Sequence, residues 1–171
     1  MKSLTVLRHA KSSWDDPSLE DFNRPLNDSG WKAARSMGRE LKRRDVKFDL
    51  VIASPAARVR ETIDGLTQKL RLNVEIRFEP EMYAASEGML LKIVRDIYES
   101  AHAPLLVGHN PGLQQLLLAL TNGESDYLRG RVEQKFPTAA LAIVELPANR
   151  WTEVKLATGK ITELILPKEL D

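Results

Sequence analysis

Apolar positions along the chain alternate between two periods. Leu4, Val6 and Leu7 form a short apolar segment that stops at Arg8-His9, with the length and β-branched content of a buried strand. A polar stretch follows from Lys11 to Asn27. Beyond Asp28 or Ser29 as the expected N-cap, Trp31, Ala34, Met37 and Leu41 recur at three- and four-residue steps and predict an amphipathic helix ending near Arg44. Leu50 to Ala53 reads as a second buried strand. Ser54-Pro55 then resembles an N-cap with proline at the first helical position, ahead of a stripe of Val59, Ile63, Leu66 and Leu70. Val74, Ile76 and Phe78 alternate as a strand does, and Leu90, Ile93, Val94 and Ile97 mark a third helix. Leu105 to Val107 predicts the next strand, broken at Gly108-His109. Asn110-Pro111 repeats the cap-plus-proline pattern before a helix carrying Leu113, Leu116, Leu117 and Leu120.

The pattern is irregular from Asn122 to Phe136. The remainder reads as strands without helices, at Ala140 to Glu145, Glu153 to Ala157 and Ile161 to Leu166, with a turn at Thr158-Gly159. Strands alternating with helices, then a strand-rich tail, imply an α/β sandwich whose mainly parallel sheet carries an antiparallel edge. No repeat or linker divides the chain, so its 171 residues are expected to form a single domain, 1–171.

Composition narrows the class. Hydrophobic residues make up 43% and charged residues 29%, the balance of a globular domain rather than a disordered chain. Twenty-five Lys and Arg against 24 Asp and Glu leave a formal charge of +1, which argues against a nucleic-acid or membrane partner. The chain has no Cys, which excludes disulfides, Cys-based zinc sites and thiol nucleophiles. The longest apolar run, Ala139 to Val144, is far short of the ~20 residues of a transmembrane helix. The first residues lack the apolar core of a secretory signal, so a cytoplasmic location is expected.

In open α/β sheets ligands bind outside the carboxyl ends of the strands, and here those ends are rich in functional groups. The first strand ends in Arg8-His9, the second in Ser54 with Arg58 one helical turn on, and the strand at Leu105 in Gly108-His109. Two histidines and two arginines at one sheet edge form a costly cluster of cations unless an anion compensates it. The planar fork of Arg suits a phosphoryl-like oxyanion, and helices starting beside the same edge would direct N–H groups at it. There is no P-loop, no H-E-x-x-H and no tight carboxylate cluster for two metals, so no cofactor or metal is expected. A neutral imidazole can attack phosphorus when its other nitrogen is hydrogen-bonded; on these grounds His9 or His109 could serve.

Leu7-Arg8-His9-Ala10, Ser54-Pro55-Ala56-Ala57-Arg58 with Thr62, and Gly108-His109-Asn110-Pro111 resemble the motifs of the histidine phosphatase superfamily. The small size, Arg24-Pro25-Leu26 leading to Gly30, and the Gly-His-Asn-Pro motif look most like the short bacterial phosphohistidine phosphatases of the SixA type. That resemblance implies a three-layer, phosphoglycerate mutase-like fold and a metal-free phosphatase. By it His9 matches the nucleophile, Arg8 and Arg58 the phosphate-binding arginines, and His109 the histidine that hydrogen-bonds the transferred phosphoryl group.

The chain departs from the family pattern at Ala10, where glycine is usual; alanine there implies a negative φ or a tighter pocket. Lys11, Ser12 and Ser13 follow directly, and Lys11 and Ser12 are candidate phosphate contacts. Glu81, after Phe78, is the candidate general acid. A phosphoramidate places less demand on such an acid, because a ring-protonated imidazole leaves far more easily than an alkoxide. The short stretch between Phe78 and Leu105 leaves little material for a cap, which suits a side chain presented on a protein. The expected function is hydrolysis of protein phosphohistidine through a phosphoenzyme at His9. The alternatives are a small-molecule phosphomonoesterase acting on a phosphate ester and a non-catalytic phosphate- or phosphoprotein-binding module. A mutase role fits less well, because mutases of the superfamily enclose their substrate with more chain. His102, in a polar linker, is read as a surface residue.

Overall fold

The computed structural model describes residues 1–123 and 126–170. Eleven regular elements follow in chain order: β1 (Lys2–Arg8), α1 (Asp28–Arg43), β2 (Leu50–Ala53), α2 (Ala57–Thr67), β3 (Ile76–Phe78), α3 (Glu87–Arg95), β4 (Pro104–Gly108), α4 (Gly112–Leu120), α5 (Tyr127–Gln134), β5 (Leu141–Leu146) and β6 (Lys160–Ile165). They build one six-stranded sheet of order β3-β2-β4-β1-β5-β6. β1 to β4 run parallel, β5 is antiparallel to β1, and β6 is antiparallel to β5. This is the expected α/β sandwich with its antiparallel edge.

Strand alternation supplies both faces of the sheet. Leu4, Val6, Leu50, Ile52, Leu106, Ala142 and Val144 pack with α3, α4 and α5, whereas Leu7, Val51, Ala53, Leu105, Val107 and Leu141 pack with α1 and α2. A small third cluster of Ala10, Leu26, Ala34 and Ala139 lies under the loop that leaves β1. Among the described residues no helix is long and apolar enough to cross a membrane.

Because β4 lies between β1 and β2, three strands end side by side. Arg8 is level with Gly108 and Ala53 with Val107, so His9, Ser54 and His109 emerge at one edge. The ladder continues one step further, with His9 N donating to Gly108 O (3.0 Å) and Ser54 N to Val107 O (3.1 Å).

Several local expectations need correction. Asn27, not Asp28 or Ser29, caps α1, its side chain accepting from Gly30 N. The Ser54-Pro55 pair does not start α2: the cap position is Ala56 and no side chain caps it. Pro111 itself occupies the cap position of α4, preceded by a cis peptide bond from Asn110. The stretch expected to be irregular contains α5, capped by the Asp126 carboxylate; Glu124 and Ser125, also in that stretch, lie outside the described residues. Glu153 to Ala157 is not a strand. The chain forms a 3-10 turn at Trp151–Glu153, where the buried indole donates to Ala101 O (2.8 Å), and then turns at Leu156-Ala157. His102 is exposed, as expected.

Candidate active site

His9 follows β1 directly and is 7% exposed. Its Nδ1 lies 2.7 Å from the Ala10 carbonyl oxygen. A carbonyl only accepts, so Nδ1 carries the proton and the lone pair stands on Nε2. Burial above all, and the nearby cations, lower the His9 pKa from 6.5 to about 3, so the ring is neutral at physiological pH.

The loop holding this ring is pinned on both sides. Ala10 N donates to Thr62 Oγ1 (2.9 Å), and Thr62 Oγ1 donates to Arg58 O one turn earlier in α2 (2.6 Å). One hydroxyl thus ties the His9 loop to the helix carrying Arg58. Ala139 N faces both Arg8 O (3.1 Å) and His9 O (3.0 Å) from the other side. Among the described residues, those other than glycine at positive φ are Asp45, Ala84, Ala139 and Ala157, so Ala10 keeps an ordinary backbone.

His109, at the end of β4, stands beside His9 with ring centroids 5.3 Å apart and planes tilted by 56°. Its Nε2 lies 2.8 Å from Ser54 Oγ. The Ser54 hydroxyl also accepts from the N–H of Ala56 (3.3 Å), the residue at the cap position, and so reaches no N–H inside α2. Burial, then the Arg58 charge, lower the His109 pKa to about 4, although Asp21 pulls it the other way.

Arg8 and Arg58 complete the cluster. Arg8 Nη1 donates to Phe136 O (3.1 Å), an oxygen that also accepts from Asn110 Nδ2 (2.8 Å). Burial and repulsion from Arg58 lower the Arg8 pKa. Arg58 Nη1 donates to Asp21 O (2.8 Å) and Nη2 to Asp21 Oδ2 (3.1 Å). Two buried polar atoms here, Arg8 Nε and His109 Nδ1, have no protein partner.

Sequence reasoning missed Asp21. It sits on a 3-10 turn in the polar stretch before α1 and accepts from Tyr83 Oη (2.6 Å), Arg24 Nη1 (2.9 Å) and Arg58. The Tyr83 hydrogen bond, followed by those of the arginines, holds its pKa at about 2. Arg24 is buried and anchors the loop, donating to Ser13 O and to the Ser12 hydroxyl while its guanidinium stacks on Trp14. No periodicity marks Asp21; the one signal within reach was its place three residues before Arg24-Pro25.

A cleft of about 470 Å³ opens at this edge, walled by Asp21, Arg58, Tyr83, Ser86, His109 and Asn110. Of the residues singled out from the sequence, Arg8, His9, Arg58 and His109 come together. Ser12 is engaged by Arg24 instead. Lys11 lines a separate groove with Lys32 and Lys135. Glu81 is exposed on the 3-10 turn Pro80–Met82 and does not line the cleft, where the carboxylate is Asp21. Among the described residues no cluster of three or more His, Asp or Glu could hold a metal ion.

A family model described as histidine phosphatase superfamily (branch 1) matches residues 4–83, the segment containing Arg8, His9, Asp21 and Arg58. The phosphohistidine phosphatase SixA of Escherichia coli strain K12 is 27% identical over 143 residues, covering 82% of this chain and 83% of that protein. A crystal structure bearing the name SixA, from Agrobacterium tumefaciens, superposes with a TM-score of 0.82 at 28% identity, covering 97% of this chain and 98% of that one. A protein histidine phosphatase SixA complexed with tungstate shares the fold, at 23% identity and a TM-score of 0.82 over 99% of both chains.

Proposed function

We propose that the chain, whose residues 4–83 match the histidine phosphatase superfamily model, is a phosphatase that hydrolyses phosphohistidine on a protein through a covalent intermediate on His9. The observation that carries this reading is the state of His9: a neutral ring whose Nδ1–H is held by Ala10 O, leaving Nε2 as the nucleophile. Arg8 and Arg58 bind the phosphoryl oxygens, and the unpartnered Arg8 Nε and His109 Nδ1 are the buried polar atoms such an anion would satisfy.

In the first step His9 Nε2 forms a bond to phosphorus while the bond from phosphorus to the substrate imidazole breaks. The substrate ring, protonated on its other nitrogen, leaves as neutral imidazole. In the second step water attacks phosphorus, the bond to Nε2 breaks, and phosphate departs with His9 neutral again. Charge accumulating on the equatorial oxygens is met by Arg8, Arg58 and His109, the electrostatic stabilisation that dominates phosphoryl transfer.

Asp21 supports the choice of substrate. A carboxyl with a pKa of about 2 has no proton to give an alkoxide at neutral pH, and Glu81 is exposed to solvent on the Pro80–Met82 turn. An imidazole leaving group needs no such donor. Matched phosphohistidine and phosphoserine peptides, incubated with the protein and no added metal, test this reading. Phosphate release from phosphohistidine alone supports it. Comparable release from both moves the reading to a broad phosphomonoesterase, and release from neither leaves a phosphate-binding module.

A further inference from the structure

Beside the catalytic edge runs a second cavity, a groove of about 670 Å³. Among the described residues its lining holds five cationic ones, Lys11, Lys32, Arg131, Lys135 and Lys168, and no acidic one. Arg131 is paired with Glu169 (2.9 Å), whereas the four lysines form no ion pair among the described residues. Apolar surface from Ala33, Pro137, Leu166 and Leu170 separates the charges.

Position couples this groove to the catalytic centre. Lys11 is two residues from His9, a Cα separation of ~7 Å at most. Pro137 and Thr138 stand between Phe136, whose carbonyl holds Arg8, and Ala139, which faces the carbonyls of Arg8 and His9. The segment that lines the groove at Pro137 and Thr138 is thus the one that holds Arg8 and the His9 loop through its flanking residues.

We infer that this groove docks an acidic segment of the phosphoprotein substrate, next to the phosphohistidine presented to His9. The inference deepens the phosphohistidine reading and rests on it for the identity of the substrate. Three features select the occupant. Lysine ammoniums are point charges suited to scattered Asp and Glu side chains, and the apolar floor suits the residues between them. Among the described residues no aromatic ring lines the groove for base stacking, and the net charge of +1 gives no long-range field of the kind nucleic acids need. With little chain to cap the catalytic cleft, a groove that begins two residues from His9, at Lys11, is placed to select the protein partner.

The test uses two phosphohistidine peptides that differ only in a flanking run, acidic in one and Asn/Gln in the other, together with the unphosphorylated acidic peptide labelled for anisotropy. At low salt the acidic substrate shows about a tenfold lower KM with the same kcat, and the advantage fades at high salt. Lys32→Glu/Lys135→Glu/Lys168→Glu, all exposed positions, abolishes the advantage and the anisotropy signal but leaves turnover of the neutral peptide and the urea midpoint unchanged. Equal KM for the two substrates in the parent, or an advantage that survives in the triple variant, overturns the inference, as does tight binding of an RNA oligomer or an anionic vesicle with none of the acidic peptide. Failure to hydrolyse either substrate refutes the phosphatase reading instead; the anisotropy arm then decides the groove by itself.

Discussion

Asp21 holds Arg58 twice, through its main-chain oxygen at 2.8 Å and through its carboxylate at 3.1 Å. The two bonds fix the plane of the guanidinium that we propose meets the phosphoryl group, and the Tyr83 hydroxyl fixes the carboxylate in turn. Asp21→Asn keeps the main-chain contact but loses the charge. It is expected to lower kcat about tenfold, ~1.4 kcal/mol of transition-state stabilisation, with little change in unfolding midpoint because the Asp21 carboxylate is half exposed. The His109 pKa should fall further, since Asp21 raises it. Steady-state kinetics and histidine NMR read both effects, and an unchanged kcat would remove Asp21 from the positioning of Arg58.

The protonation of His9 can be observed directly. At pH 5 to 7 its ring should stay neutral with the proton on Nδ1, because burial lowers its pKa to about 3 and Ala10 O holds that hydrogen. Long-range nitrogen–proton NMR distinguishes this tautomer from the Nε2–H form. Titration near pH 6.5 contradicts it.

Both depressed histidines make the fold sensitive to acid. Unfolded, each takes up a proton near pH 6.5; folded, His9 does so at about 3 and His109 at about 4. In that window the unfolded chain binds more protons, so stability falls as the pH drops from about 6.5 towards 4, by at most roughly 2 kcal/mol per ring at pH 5. Below that, Asp21 adds loss in the same direction as the pH falls from about 4 towards 2. Urea denaturation at pH 7 and pH 5 should show the drop, and His9→Gln/His109→Gln should flatten it.

Thr62 links the two halves of the site. Thr62→Val keeps the shape and removes the hydroxyl, leaving the buried Ala10 N–H without its acceptor, at a cost of about 1–3 kcal/mol. The loop that aims His9 loses its tie to the Arg58 helix as well, so kcat should fall along with the urea midpoint, whereas Thr62→Ser restores both. Full stability and full activity in the valine variant would show that the hydrogen bond positions nothing.

The parts legible in the sequence were those governed by periodicity. Buried runs at Leu4, Leu50 and Leu105 locate strands, and whatever follows a parallel strand lies at the ligand edge, so Arg8, His9, Ser54 and His109 could be placed before the fold was known. What escaped was tertiary. Asp21 belongs to a polar loop whose shape depends on Arg24, Tyr83 and Arg58, residues distant along the chain or outside any repeat. Ser54 has the composition of a cap, but its hydroxyl meets His109 across 55 positions. α5 went unseen because Val132 is its one buried residue, too little for an apolar stripe. Glu153 to Ala157 looked like a strand because Val154 is apolar; burial of Trp151 against Ala101 bends the chain there instead.

Trapping the phosphoenzyme is the most direct measurement. After brief reaction with a radiolabelled phosphohistidine peptide and alkaline quench, label should appear on the protein in an acid-labile, alkali-stable form that maps to His9. His9→Ala should carry no label and release no phosphate. Normal turnover in His9→Ala, or label on His109 instead, would contradict the mechanism.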